Sequence, residues 1–277
     1  MTVATADIVR ADHEDRAYLA HEPARVYHAR SREYLSSHQL ADFRKCPLLY
    51  HRRKLGLIAD EERPAFLVGQ AAHTLILEGR ERFDAEYAVG GPINPKTNSR
   101  FGSRSKAWQE WAEAQGKPVL ADDQVELVER MAESVAGHTE AQELLAEGMA
   151  EAVVRSMYCG APCQIRMDWF DPYKGLVDLK TCDDLTWFEF DAQRFGYAYQ
   201  LAFYRAVLAQ LLCLPMPVHL IAVEKKEPFR CGVWKVKAEM LSVVERENMA
   251  AIARLKRCEA NDYWPSGYEE IRLFDVL

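Results

Sequence analysis

Residues 164–181 constrain the fold more than any other part of the sequence. They contain two apolar segments, 164–170 and 176–181, which are separated by Asp171-Pro-Tyr-Lys-Gly175. Short apolar segments rich in Val, Ile and aromatic residues favour strands, and an Asp-Pro sequence followed by Gly favours a tight turn. The sequence therefore predicts a β-hairpin in the middle of the chain.

Three ionisable residues interrupt these apolar segments. Asp168 lies on the first, while Asp178 and Lys180 lie two residues apart on the second, so the last two project from one face of a strand. The predicted turn brings Asp168 alongside Asp178. Carboxylates are preferred ligands of a hard cation such as Mg²⁺, and a neighbouring lysine can orient or deprotonate a water and stabilise a phosphate under attack. The pattern indicates phosphodiester hydrolysis, and a surface ion pair on an edge strand is the alternative.

Helical patterns flank the strands on both sides and favour an α/β domain with a central mixed sheet flanked by helices. Ser36 or Ser37 is suited to cap the first helix. Residues 1–30 are predicted to form an N-terminal arm or a marginal helix, and 90–105, rich in Gly, Pro, Asn and Ser, to form a loop. Predicted helices cover 36–46, 48–57, 65–78, 105–115, 122–147, 191–212 and 240–261, and predicted strands cover 152–158, 164–170, 176–181, 218–224 and 231–236.

Composition and charge narrow the class of protein. The hydrophobic fraction of 49% and charged fraction of 28% are typical of a globular protein. The sequence contains no run of 18 apolar residues, so we expect no membrane span. The first residues lack the apolar region of a signal peptide, so we expect a cytoplasmic protein. A net charge of −7 argues against nucleic-acid binding, but basic residues concentrate in 25–54 and acidic ones in 122–151. The basic segment predicts either a basic binding face or a solvated helix face.

The cysteines favour a reducing compartment, because their number is odd and no secretion signal accompanies them. Cys159 and Cys163 form a C-x3-C pair, but no second pair follows at zinc-site spacing, so support for a structural zinc is weak. The seven are Cys46, Cys159, Cys163, Cys182, Cys213, Cys231 and Cys258.

The segment from Asp168 to Lys180 resembles the core of PD-(D/E)XK nucleases, and further segments resemble the branch that includes RecB-type nuclease domains and the RecE-type exonuclease (exodeoxyribonuclease VIII). These segments follow the family's order over roughly residues 35–210. They are the helix 36–50 with its Cys46-Pro pair, the G-x-x-x-H sequence Gly69–His73, the acidic Glu151 ahead of the strands, and the Q-x-x-x-Y sequence Gln200–Tyr204.

The resemblance implies a restriction-endonuclease-like core in a single nuclease domain spanning 31–277. It also implies Mg²⁺ or Mn²⁺ as cofactor, and the imidazole of His73 suits Mn²⁺ in particular. Glu151 corresponds to a family acid of less certain role. The implied catalytic residues are Asp168, Asp178, Lys180, Gln200 and Tyr204, and the implied metal set is His73, Asp168, Asp178 and Leu179.

The leading functional prediction is a DNA exonuclease that degrades one strand from duplex ends, with 5′ to 3′ polarity implied by the resemblance. A ring-shaped homo-oligomer, a single-strand annealing partner and a phage-type recombination module are implied in the same way. The alternatives are a structure-specific or CRISPR-type nuclease, an inactive DNA-binding module and a small-molecule metallohydrolase. Some relatives hold an iron–sulfur cluster through C-terminal cysteines, but Cys258 is the one cysteine in the last forty residues of this sequence.

Overall fold

The computed structural model describes residues 18–58 and 64–274. Its main feature is a six-stranded mixed sheet. The strand order is β1 (Tyr18–His21), β6 (Met149–Tyr158), β7 (Ala161–Asp171), β8 (Gly175–Cys182), β9 (Val218–Glu224) and β10 (Cys231–Lys235). β8 and β9 are parallel and the other neighbours antiparallel. Smaller pairs join β2 (Ala88–Val89) to β5 (Val119–Leu120) and β3 (Ile93–Asn94) to β4 (Ser99–Arg100).

Helices cover both faces of the sheet, as the α/β prediction requires. Short 3₁₀ helices span Arg30–Arg32 and Leu185–Trp187, and a π-helical turn spans Thr74–Glu78. The α-helices are α1 (Ala24–Ala29), α2 (Ser37–Lys45), α3 (Pro47–Lys54), α4 (Pro64–His73), α5 (Arg80–Glu86), α6 (Lys106–Gln115), α7 (Asp122–Ala136), α8 (Thr139–Leu145), α9 (Phe188–Phe195), α10 (Tyr197–Leu212) and α11 (Ala238–Asn261).

The sheet is buried on both faces, which explains its continuous apolar strands. Along β9, Leu220 and Ala222 pack into a first apolar cluster with helices α2, α10 and α11. The alternate residues Ile221 and Val223 pack into a second cluster with α4 and α7. Because side chains of a strand alternate between faces, two helical layers can each bury one set.

The predicted central hairpin is confirmed, and Gly175 shows why its turn has a fixed position. Gly175 opens β8 with a φ of 97°, and a Cβ there would overlap the carbonyl oxygen of Pro217 at the start of β9. That carbonyl accepts a hydrogen bond from the N–H of Leu176 at 3.1 Å. Only glycine permits both this backbone conformation and this close approach.

Several predicted elements differ in their bounds. Ser36 caps α2 in a capping box with Gln39, as predicted. The predicted helix 191–212 is two helices, because Gly196 adopts a φ of 72° and ends α9. The predicted helix 122–147 breaks at Gly137, after which His138 caps α8. The predicted loop 90–105 contains the small β3–β4 hairpin, where Arg100 forms an ion pair with Asp122.

Within the segment 1–30, predicted as an N-terminal arm or a marginal helix, the structure forms strand β1 and the short helix α1, and residues 1–17 lie outside the described residues. Tyr18–His21 is the edge strand of the main sheet, with Tyr18 opposite Arg155. Arg155 is 2% exposed and forms an ion pair with Glu22. A buried guanidinium needs a counter-charge, and Glu22 supplies it. The residues around β1 are therefore part of the folded core and not a separate arm.

Candidate active site

The candidate site lies where β7 and β8 separate. The two strands pair from Asp171–Gly175 to Trp169–Val177. Beyond that point β8 continues beside β9, whereas β7 continues beside β6. The chain just before α2 takes the vacated edge of β7, where Leu35 exchanges backbone hydrogen bonds with Pro162 and Gln164 at 2.8 and 2.9 Å. The sheet therefore opens at the level of Asp168.

Asp168 spans this opening. Its carboxylate accepts a hydrogen bond from the backbone N–H of Leu179 on β8, with 2.7 Å between nitrogen and Oδ2. The same oxygen lies 3.6 Å from Nδ1 of His73, the last residue of α4. The Leu179 side chain is buried in the second apolar cluster, so this residue reaches the site through its backbone.

Glu151 faces Asp168 across β6 and β7, although the sequence placed it ahead of the strands. The flanking pairs Ala150–Trp169 and Ala152–Met167 put Glu151 opposite Asp168 in register. Ala150 and Trp169 pack against the second apolar cluster, whereas Ala152 and Met167 lie in the first. Both strands thus change face at this pair, and Glu151 has a φ of 54°. The change of face turns both carboxylates toward the opening.

The donor set fits a divalent cation. In the part of the chain that the structure describes, His73, Glu151 and Asp168 are the group whose ligand atoms are close enough to hold a metal, all within 4.8 Å of one another. Two carboxylates and one imidazole suit Mg²⁺ or Mn²⁺, with the nitrogen favouring Mn²⁺. Cys159 and Cys163, the weakly supported zinc pair, do not belong to this group, and all seven cysteines are free thiols.

Asp178 and Lys180 form the second half of the site on β8. They share one face of the strand, as their spacing predicted, and their side chains form an ion pair. The structure turns this face toward α10. Gln200 of α10 donates from Nε2 to Oδ1 of Asp178 at 3.3 Å and to the hydroxyl of Tyr204 at 3.1 Å. Asp178 is 1% exposed and Tyr204 is 5% exposed. Tyr204 is therefore connected to the site through Gln200, and Gln200 through Asp178.

Burial and crowding shift the protonation of the site. Burial, and to a smaller extent the negative charge of the Asp168 carboxylate, raises the pKa of Glu151 to about 8. Burial also raises the pKa of Asp168 and of Asp178. Burial and the Lys180 ammonium lower the pKa of His73 to about 4. For Lys180, burial acts to lower the pKa, but Asp178 and Asp168 outweigh it and raise the pKa. A cation between the carboxylates would offset this unfavourable negative charge.

Sequence reasoning missed two residues at the site. Arg166 on β7 forms an ion pair with Glu151, with 2.7 Å between Nε and Oε2. Desolvation and the nearby Lys180 ammonium lower the pKa of His38 in the first turn of α2. The signal for Arg166 was its position two residues before Asp168 on an otherwise apolar strand. His38 carries no comparable signal, because only the tertiary packing of α2 brings it near Lys180, Asp178 and Asp168.

The basic segment 25–54 is partly neutralised within the protein. Arg53 pairs with Asp42 at 2.6 Å, and Lys54 pairs with Glu259 at 3.0 Å. Arg44 donates to Asn248 at 2.6 Å. These bases join α2 and α3 to one another and to α11, so they contribute less to a basic face than their number suggested.

The mixed sheet with its paired carboxylates and lysine defines a protein of the PD-(D/E)XK nuclease superfamily, which confirms the predicted fold class. Over residues 36–275 the chain matches the family described as PDDEXK-like domain of unknown function (DUF3799), and it belongs to that family.

One solved structure is similar over almost its whole length. It is a protein of Eubacterium rectale, provisionally assigned as an exonuclease, with 15% sequence identity and a TM-score of 0.67, and the match covers 93% of this chain and 97% of that chain. At this identity the likeness shows the fold. No curated protein matches the chain in sequence. Among the described residues, no helix is both long and apolar enough to cross a membrane.

Proposed function

We propose that this protein is a divalent-metal-dependent DNA exonuclease that hydrolyses phosphodiester bonds from duplex ends. The observation that carries the proposal is the convergence of His73, Glu151 and Asp168, with ligand atoms within 4.8 Å, beside the Asp178–Lys180 ion pair. A cluster of carboxylates next to an ammonium suits a phosphodiester, because that substrate is anionic and gains negative charge as water attacks it.

The residues divide into a metal-holding group and a phosphate-facing group. His73, Glu151 and Asp168 would hold the cation, with Asp178 and the backbone of Leu179 alongside. A divalent cation bound there would polarise the phosphate and lower the pKa of a bound water. The metal ligands that the family resemblance implies do not include Glu151, so the proposed set adds one residue to them.

Lys180 is the residue that we assign to the reacting phosphate. The carboxylates of Asp178 and Asp168 raise its pKa, so its ammonium is a hydrogen-bond donor that can orient the attacking water and stabilise negative charge on the phosphate oxygens. A cation bound to the same carboxylates would oppose that rise in pKa. Gln200 donates a hydrogen bond to Oδ1 of Asp178. The other carboxylate oxygen, Oδ2, is the partner of the Lys180 ammonium. Tyr204 fixes Gln200 in turn.

The finer features of the proposal come from the likeness to RecE-type exonucleases. They are attack from DNA ends with 5′ to 3′ polarity, a ring-shaped homo-oligomer and a single-strand annealing partner in a recombination module in the cytoplasm. The order of the motifs from Ser36 to Tyr204 supports them. The provisional assignment of the Eubacterium rectale protein as an exonuclease supports the preference for ends.

The test compares linear with closed circular duplex DNA, in Mg²⁺, in Mn²⁺ and in EDTA. The proteins are the wild type, Lys180→Ala, and Lys235→Ala as a control at an exposed lysine of the same sheet. We expect metal-dependent loss of the linear DNA alone, which Lys180→Ala abolishes and Lys235→Ala retains. Cutting of circles would refute end dependence while leaving a nuclease. No cutting with either metal would favour the inactive DNA-binding module.

A further inference from the structure

Two aromatic rings lead from the catalytic lysine to the protein surface. The ammonium of Lys180 lies 5.0 Å from the ring centroid of Tyr197, the first residue of α10. The ring of Phe195, the last residue of α9, is stacked on Tyr197 with 5.9 Å between centroids and 28° between planes. The two rings thus form a continuous aromatic surface that begins at the candidate active site.

The outer ring is exposed, and the inner ring packs against a buried one. Phe195 is 56% exposed, whereas Phe188, which lies behind Tyr197 at 6.3 Å, is 2% exposed. Gly196 lies between the two rings in the left-handed conformation, with a φ of 72°. That conformation turns the chain sharply at the helix junction and lets residues two apart present stacked rings. Phe188 therefore supports the inner ring of Tyr197, and Tyr197 lies against the outer ring of Phe195.

Positive charge accompanies the rings. The guanidinium carbon of Arg194 lies 4.8 Å from the centroid of Phe195, and Lys180 lies at the other end of the pair. A ligand that suits this surface has a flat ring for stacking and a phosphate for the cations. A nucleotide of a single strand has both, and aromatic side chains bind unpaired bases in this way with little sequence preference.

We propose that Phe195 and Tyr197 form a stacking platform for an unpaired base of the DNA strand whose phosphate is cut beside Lys180. This inference rests on the proposed nuclease function and adds a requirement to it. The strand entering the site must have at least one unpaired nucleotide, because a base within a duplex already stacks on its neighbours and cannot lie on Phe195. The platform therefore selects frayed or single-stranded ends over blunt ones.

The same helix offers a matched control. Phe190 is 61% exposed, close to the exposure of Phe195, and is the same residue type. They lie five positions apart, which places Phe190 about 140° around the axis of α9 from Phe195. Phe190→Ala therefore removes an equally exposed ring from another side of the helix.

The experiment uses a short single-stranded DNA with the fluorescent base 2-aminopurine near its end, in EDTA so that no cleavage occurs. We expect the wild type and Phe190→Ala to quench the fluorescence by stacking. Phe195→Ala is expected to lose the quenching and to bind the DNA roughly 10-fold more weakly. Phe195→Trp is expected to retain both. With metal, Phe195→Ala is expected to lose its preference for frayed over blunt duplex ends. Thermal melting checks that each variant is folded.

The outcomes separate the platform from the nuclease. If the wild type degrades DNA but Phe195→Ala behaves like Phe190→Ala in every assay, the platform is refuted and the nuclease is retained. If Phe195 variants show the expected quenching while no DNA is cut with any metal, the platform is supported and the nuclease is refuted. If Phe195→Ala changes self-association in sedimentation and leaves DNA binding unchanged, the rings are a protein contact and the platform is refuted.

Discussion

The backbone N–H of Leu179 is hydrogen-bonded to the carboxylate of Asp168, with 2.7 Å between nitrogen and Oδ2. In a regular antiparallel ladder this N–H would be bonded to a carbonyl of the neighbouring strand. Here a side chain takes that place, at the level where β7 and β8 no longer pair. The residue that spans the opening of the sheet is therefore also a member of the candidate metal group.

Two substitutions of Asp168 should separate these roles. Asp168→Asn keeps an acceptor for Leu179 and removes a charge that crowds Glu151 and Asp178, so we expect its melting temperature in EDTA to equal or exceed that of the wild type. Asp168→Ala leaves a buried N–H unpaired and should lower the free energy of unfolding by about 1–3 kcal/mol. Both should abolish hydrolysis. Equal melting of the two variants would show that the hydrogen bond contributes nothing to stability.

Glu151→Gln should weaken metal binding. An amide is a poorer ligand than a carboxylate for a hard cation, so we expect the dissociation constant for Mn²⁺ to rise by at least about 10-fold, as measured by titration calorimetry. Saturating Mn²⁺ should stabilise the wild type, by about 2.7 kcal/mol at a hundred times the dissociation constant, and stabilise the variant less. Glu147→Gln, at an exposed acid of the preceding turn, is the control. Equal affinities in the two variants would remove Glu151 from the metal site.

His73→Asp should change the choice of metal. The wild-type imidazole favours Mn²⁺, and an all-carboxylate set favours Mg²⁺. We expect the ratio of activity in Mn²⁺ to activity in Mg²⁺ to fall in the variant, whatever happens to the absolute rate. The measurement is the initial rate on linear DNA over a range of each metal. An unchanged ratio would mean that His73 is not a ligand.

The ion pair of Glu224 and Arg230 should stabilise the fold against acid. Hydrogen bonds from Arg230 hold the pKa of Glu224 at about 2, below its ordinary value of 4.5. Because the folded state lowers this pKa, the stabilisation is complete above about pH 4.5 and is lost as the pH falls toward 2. Glu224 also accepts from the N–H of Leu185 at 2.9 Å, which anchors the chain between β8 and α9.

Glu224→Gln should therefore lower the free energy of unfolding at pH 7 by about 1–3 kcal/mol and flatten its decline between pH 5 and 2. Urea denaturation at several pH values measures both effects. Glu227→Gln, at an exposed acid of the same loop, should leave the pH dependence unchanged. A parallel decline in wild type and Glu224→Gln would contradict the assignment.

The parts of the fold that follow local rules could be predicted from the sequence. The shared face of Asp178 and Lys180 follows from strand periodicity, and the start of α2 follows from the capping preference of Ser36. The turn at 171–175 put Asp168 and Asp178 on neighbouring strands. The edge strand Tyr18–His21 was missed, because its partner Arg155 is more than a hundred residues away and nothing local marks the pairing.

The sequence by itself determined five of the six strands of the main sheet, most of the helices around them and the residue types that reach the site. The tertiary structure decided which of the carboxylates meet. Glu151 and Asp168 converge with His73 because β6 and β7 both change face at that pair, at the level where β7 parts from β8. The direction of the Glu151 and Asp168 side chains depends on the packing of both strands between the two apolar clusters. The alternation of side chains along a single strand does not predict it.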